Sequence, residues 1–353
     1  MTLMLAVCWL LSTGSAAQTN DPVTRENNYK QFYQNQVLPF FKQGTHSYFE
    51  GQPVDGREIS LRFSAFPRQR AKADIILVHG FGERLEKYQE LAYDFYHNGY
   101  SVYLYDQRGH GGSSRINTTN RAVHVKEFKH YVEDLTHFID KVVTPTRTTP
   151  NLFILAHSMG GAVTTRLLET RPKLVQGAVL STPMLGMNLR GVPRWLAWTL
   201  AHGGSLLGFG ESYGPGQSEP RDWPFQLSAT QSLPRWDVYA EFSQNSLPDS
   251  ELTGGASFRW LATALDATAE IMEPDQLRQI KTPTLVFQAE WDQWVRPEPQ
   301  DRFCQIVTNC RLIKVDKAKH ELYREQDSIR TDYLQTVFSF FEKTRQKRLS
   351  TLP

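Results

Sequence analysis

The sequence lacks most of the features that mark out the large special classes of protein. Its 353 residues contain only three cysteines, Cys8, Cys304 and Cys310. That is too few for a disulfide-built scaffold, and no His or Cys lies beside them at ligand spacing, so no metal centre is expected. The net charge is only +2, which leaves no basic footprint for nucleic acid. Beyond the first residues no apolar run is long enough to cross a bilayer. Internal repeats and low-complexity tracts are also missing. What is present is 40% hydrophobic and 22% charged residues. That is a globular composition with a substantial core, in a length that suits one large domain carrying an insertion.

A last absence is at the N-terminus, where no Lys or Arg precedes the first apolar run. Leu3 to Leu11 is apolar, Ser12 to Ala17 is small or polar, and Ser15-Ala16-Ala17 offers a cleavage site before Gln18. Residues 1–17 therefore read as a secretory signal peptide with a weak n-region, and the protein as exported, periplasmic or secreted, with membrane association left open. Cleavage would remove Cys8. In an oxidising compartment Cys304 and Cys310 are then expected to form a disulfide between a helix end and the next strand, worth roughly 2 kcal/mol for so short a loop. In the cytosol they would be free thiols.

Along the chain, Tyr29, Phe32, Tyr33, Val37, Phe40 and Phe41 form one face of a helix over 27–41, expected to break near Pro39. An early antiparallel strand is expected over 58–63. Continuous apolar runs over 74–79, 101–105, 152–156, 177–180, 284–289 and 311–315 read as buried strands. They alternate with helices expected over 88–98, 128–142 (stopping before Pro145), 160–169, 299–307 and 328–343. Strand–helix alternation of this length implies right-handed crossovers and a mostly parallel α/β sheet with helices on both faces. From 184 to 274 the alternation stops, in a stretch that includes Trp195, Trp198, Trp223, Trp236 and Trp260. It is read as an inserted cap on a core made of 18–183 and 275–353.

The most informative segment is Leu152-Phe153-Ile154-Leu155-Ala156-His157-Ser158-Met159-Gly160-Gly161. A buried strand ends at a serine, two glycines follow, and a helix begins. This strand–elbow–helix pattern holds a nucleophilic serine at the top of an α/β-hydrolase sheet, with Ala156 in place of the usual first glycine. A serine needs a base, and the base needs an acid to set its tautomer. In this fold they follow in the order serine, acid, histidine. Asp292 lies just past the strand at 284–289, and His320 past the strand at 311–315. Glu290 is the alternative acid, and of the ten histidines only His320 follows the last strand. The Met159 amide and an amide of the loop His79-Gly80-Phe81-Gly82-Glu83, that of Phe81, are expected to form the oxyanion hole. His79 is expected to support that loop. Asp106-Gln107-Arg108-Gly109-His110-Gly111 has the wrong glycine spacing for a dinucleotide fingerprint and reads as a structural loop, with Arg108 and Asp106 paired internally.

Together with Thr182-Pro183-Met184, Arg25-Glu26-Asn27 and Arg302-Phe303-Cys304, these motifs resemble the monoglyceride lipase and lysophospholipase L2 group of α/β-hydrolases. The resemblance covers nearly the whole mature chain. It implies serine hydrolysis of a single-acyl glycerol or glycerophospholipid ester, without a cofactor, under a cap that forms an acyl tunnel. Trp195, Trp198, Leu206, Leu207 and Phe209 would bind the acyl chain or touch a membrane, and the alternative is that they form the cap's own core. Two other readings use the same scaffold, a small-ester hydrolase or aminopeptidase, and a non-catalytic lipid-binding protein.

Overall fold

The computed structural model of the chain describes residues 22–221 and 224–349. The expected signal peptide, Cys8 and Trp223 lie outside the described residues. Eight strands form one sheet: β1 (Thr45–Glu50), β2 (Ser60–Phe66), β3 (Ala73–Val78), β4 (Tyr100–Tyr105), β5 (Leu152–His157), β6 (Gly177–Ser181), β7 (Thr284–Ala289) and β8 (Cys310–Val315). Their order is β1-β2-β4-β3-β5-β6-β7-β8. Only β1–β2 and β2–β4 are antiparallel. The longer helices are α1 (Gln89–His97), α2 (Lys129–Phe138), α3 (Met159–Thr170), α4 (Arg194–Gly204), α5 (Leu233–Ser246), α6 (Phe258–Ile271), α7 (Pro297–Ile306) and α8 (Asp327–Leu349).

Strands β3 to β7 are buried along their whole length. Both faces are covered, so these segments read as unbroken apolar runs. Successive side chains alternate between two cores. Ile76, Val78, Ile154 and Ala156 pack with Tyr131 and Leu135 of α2 and Val163 and Leu167 of α3. Ile75, Leu77, Phe153 and Leu155 pack with Leu91 and Phe95 of α1 and Val337 and Phe341 of α8. The edge strand β1 buries only Phe49, so it lacks the continuous apolar run that marks the inner strands. Between β6 and β7 the chain forms α4, α5 and α6, and α6 reaches the carboxyl ends of the strands, where Trp260 packs on Phe81 with ring centroids 4.4 Å apart.

Two expected helix breaks do not occur. The N-terminal helical stretch runs from Pro22–Asn27 through Tyr29–Phe32 and a π-turn at Tyr33–Val37 to Leu38–Lys42, past Pro39. The chain of α2 likewise continues through a π-turn at Ile139–Val143 to Thr144–Thr146, past Pro145. In both cases the widened turn comes just before the proline. It gives the ring room against the preceding carbonyl and tolerates the missing N–H.

Polar burial ties this scaffold together. Arg235 of α5 is almost fully buried. It grips both oxygens of Glu90 on α1 at 2.8 and 3.0 Å and Asp327 of α8 at 2.6 Å. Arg25 bonds Asp94 at 2.8 Å, the Glu26 carboxylate accepts from Ser232 at 2.6 Å, and Arg330 bonds Asp94 at 2.5 Å. One cluster thus binds the N-terminal stretch, α1, α5 and α8. Removing one member leaves buried charges without partners. Arg235→Ala is expected to cost about 3–5 kcal/mol, read as a fall in the denaturant midpoint; an unchanged midpoint would contradict this account.

A second buried carboxylate has a pH signature. Glu169 of α3 is bonded by Arg166 at 2.9 Å, but its other oxygen has no partner among the described residues. Burial pushes its pKa up to about 7. The folded state therefore holds this proton more tightly than the unfolded chain. The linked stability is present below the ordinary value of 4.5 and is lost as pH rises through about 7. Glu169→Gln should flatten the stability–pH profile across that window, measured by denaturant unfolding at about pH 5 and about pH 8.

Candidate active site

Strands β3 and β5 are neighbours, and the chain leaves them in opposite directions across the sheet, to β4 and to β6. Open α/β sheets place their ligands in the crevice at such a switch point. Here the loop after β3 and the turn after β5 meet. A Cβ added at Gly80 would stand 3.0 Å from the Ser158 Cβ and 3.0 Å from His157 Nδ1.

Ser158 is the single residue between β5 and α3, with φ 50° and ψ −117°. A left-handed φ is costly for a residue with a Cβ and has to be imposed by its surroundings. The Ser158 N–H donates to the Ser181 carbonyl at 3.1 Å, and its carbonyl accepts from the Gly161 and Met184 amides, both at 2.9 Å. The two glycines answer to space. A Cβ at Gly160 would meet the Val78 and His79 carbonyl oxygens at 2.5 and 2.6 Å, and one at Gly161 would meet the Pro183 Cβ at 2.6 Å. The first turn of α3 therefore presses directly on the end of β3.

Asp292 and His320 converge from the ends of β7 and β8. His320 Nδ1 lies 2.6 Å from Asp292 Oδ2. The other Asp292 oxygen accepts from the Trp294 and Val295 amides at 2.8 and 3.1 Å. Burial opposes the carboxylate charge, but His320 and these amides outweigh it and hold the Asp292 pKa below the ordinary value. Glu290 is engaged elsewhere, by the Lys317 amide at 2.7 Å. The His320 carbonyl accepts from Thr182 Oγ1 at 2.9 Å and faces His157 Nε2 at 3.3 Å, with the His157 and His320 rings 4.6 Å apart. No side-chain hydrogen bond joins Ser158 to His320 among the described residues. In free enzymes such bonds often tighten only when substrate binds.

The amides of Phe81 and Met159 have no acceptor among the described residues. The loop that carries Phe81 is held from below. His79 Nε2 accepts from the Gln107 amide at 2.9 Å, which leaves the proton on Nδ1 to donate to the Gly80 carbonyl at 2.7 Å. Glu83 is the larger support, and the sequence pattern shows it only as the last residue of the glycine loop. It accepts from the Gly80 amide and the Tyr88 hydroxyl at 2.7 Å each, the Tyr323 hydroxyl and Lys87 at 2.8 Å each, and His157 Nδ1 at 3.0 Å. Burial disfavours its charge, yet Lys87 and His157 hold its pKa well below the ordinary carboxylate value. Thr182 and His157 were likewise invisible as supports of His320, because they act through its backbone.

Other expected residues lie apart from this centre. Arg108 and Asp106 do not pair with one another. Arg108 takes both oxygens of Asp134 at 2.6 Å, while Asp106 holds Arg62 and the Leu85 and Gly112 amides. Trp195, Trp198, Leu206, Leu207 and Phe209, on α4 and the turn after it, are all exposed, Leu206 at 86%. None of them lines either described cavity. The larger cavity, about 730 Å³, opens beside Gln176, Pro283 and Asn309, at the far end of the sheet from Ser158. Cys304 and Cys310 are joined as a disulfide between α7 and β8, with Cα atoms 5.0 Å apart.

Residues 69–327 match the family model described as serine aminopeptidase, S33. The chain is an α/β-hydrolase of this family. Among curated relatives it is 31% identical over 339 residues to lysophospholipase L2 of Escherichia coli strain K12, covering 92% of this chain and 96% of that one. It is 33% identical over 322 residues to a probable lysophospholipase L2 of Haemophilus influenzae, covering 90% and 98%. A soluble variant of Saccharomyces cerevisiae monoglyceride lipase shares the fold with a TM-score of 0.65 at 20% identity, over 85% of this chain and 96% of that one. This α/β-hydrolase is a serine carboxylester hydrolase.

The contacts at Gly160 are with backbone oxygens, which cannot step aside. Gly160→Ala in this hydrolase should cost about 1–3 kcal/mol through overpacking, together with esterase activity. Thermal unfolding and a soluble-ester assay check both; full stability and full rate would contradict the close packing of the elbow.

Proposed function

We propose that this hydrolase cleaves the acyl ester of lysophospholipids or monoacylglycerols through an acyl-enzyme carried on Ser158. His320 takes the Ser158 proton as the oxygen attacks the ester carbonyl. Asp292 fixes the proton on Nδ1 and stabilises the imidazolium. The developing oxyanion is met by the Phe81 and Met159 amides. Collapse of the adduct expels the glycerol or glycerophosphoryl alcohol, which leaves with the proton from His320. Water, deprotonated by His320, then attacks the acyl-enzyme and frees the fatty acid and Ser158. The observation that carries this reading is the 2.6 Å bond between His320 and Asp292 beside a strained elbow serine.

The lipid substrate is supported by the relatives' names, lysophospholipase L2 and monoglyceride lipase. It is also supported by the exposed Trp195, Trp198, Leu206, Leu207 and Phe209, an apolar face suited to peripheral contact with a membrane. Residues 1–17 and a disulfide of the kind that persists in oxidising compartments support export. The same reading makes 184–274 the cap.

Ser158→Ala should lower ester turnover by at least about 10⁴-fold while leaving the unfolding midpoint near that of the parent, and should abolish labelling by a fluorophosphonate probe. Substantial residual turnover would refute the assignment. A panel of monoacylglycerols, lysophospholipids, short p-nitrophenyl esters and aminoacyl anilides then tests the substrate class. Preference for the anilides would favour a peptidase instead.

A further inference from the structure

Two large exposed aromatics belong to the core and not to the cap. Trp291 and Trp294 are 46% and 43% exposed and bracket Asp292 in the loop after β7. Among the described residues their indole N–H groups have no acceptor. By contrast, Trp198 donates to Asp266 at 2.7 Å and Trp260 to Tyr131 at 3.1 Å. The loop is fastened to the chain that leads into α4. The Asn188 amide donates to the Trp294 carbonyl at 3.0 Å and the Arg296 amide to the Gly186 carbonyl at 2.8 Å, and Met187 and Val295 form an antiparallel bridge. Exposed Val192, Trp195 and Trp198 follow along the same stretch.

The charges here are mixed, with exposed Glu290 and Glu298 at the two ends of the loop and a cation on the Trp294 ring. The Arg190 guanidinium stands over the Trp294 ring, 5.9 Å from its centroid. Arg190 is exposed and makes no ion pair among the described residues, whereas Arg194 donates to the Leu265 carbonyl and Arg296 pairs with Glu298 at 3.1 Å. Half-exposed indoles with free N–H groups, one of them beneath the unpaired Arg190 guanidinium, suit the headgroup layer of a bilayer. There the ring meets acyl chains, the N–H meets ester and phosphate oxygens, and the cation meets phosphate.

We propose that Trp291 and Trp294 anchor the loop bearing Asp292 in the interfacial layer of a phospholipid bilayer, as a second contact beside α4. This rests on the reading of α4 as a membrane-facing helix. It adds a contact from the core, so that the surface supplying the substrate also bears on the edge of the reaction centre. The two tryptophans are docking residues and touch no reacting atom.

The test is co-sedimentation of the full chain with vesicles of phosphatidylcholine and phosphatidylglycerol. The parent is compared with Trp291→Ser/Trp294→Ser and with Leu206→Ser/Leu207→Ser on the cap. Loss of the indoles should raise the lipid concentration for half-binding by about tenfold. An unchanged value overturns the proposal, and if the cap variant alone loses binding the α4 reading survives that failure. Binding unchanged in both variants sinks the α4 reading as well. Trp291→Phe/Trp294→Phe keeps the apolar contact and guards against misfolding. It should still bind, with weaker quenching of its emission by brominated phospholipid, whereas undiminished quenching places these rings outside the bilayer. Self-association of the lipid-free parent that vanishes in the serine variant would assign the surface to a second copy of the chain and overturn the proposal.

Discussion

A single buried carboxylate holds the reaction centre in register. Glu83 gathers the amide of the glycine loop, two tyrosine hydroxyls, the Lys87 ammonium and the His157 ring, all within 3.0 Å. Each partner reports to a different part of the centre. Gly80 belongs to the loop that carries Phe81, His157 precedes Ser158 and faces the His320 carbonyl, and Tyr323 lies three residues after His320. Isolated burial of a charge is expensive, and what makes it tolerable is full satisfaction of its lone pairs by donors that are themselves fixed. The rigidity of the donors is what transfers to the site. Oxyanion donors are effective because they need not reorganise as charge develops.

The scaffold around that carboxylate divides into two kinds of cohesion. On the side of α1, α5 and α8 the helices are locked by Arg235, Arg330 and Arg25 onto Glu90, Asp94 and Asp327. On the side of α4, Ala201 packs against Ala262 and Leu265 of α6, and Trp198 and His202 both bond Asp266 of that helix, at 2.7 and 3.0 Å. The segment between β6 and β7 is thus held to the core through buried ion pairs at α5 and to its own helix α6 at α4.

Much of this was legible in the chain because its signals are local. Strands β3 to β7 are buried on both faces, so composition alone marks them, and their order sets where an acid and a histidine must fall. That is why Asp292 and His320 stood out among many candidates, and why Gly160 and Gly161 pointed to a tight elbow. The illegible parts depend on partners distant in sequence. β1 is polar and exists because β2 offers it a ladder. Pro39 and Pro145 look like helix breakers until the π-turns before them are seen. Arg108 and Asp106 sit two residues apart and invite pairing, but the fold gives them Asp134 and Arg62. Glu83 looks like the tail of a loop motif, and its importance appears only when residues 157 and 323 arrive beside it.

The Cys304–Cys310 bond closes the turn from α7 into β8, the edge strand opposite β1. Nothing in the proton relay passes through it. The pair contributes no group to the Ser158, His320 and Asp292 set, although β8 also leads to His320. Thiol alkylation of that pair distinguishes molecules matured under oxidising conditions from molecules kept reduced.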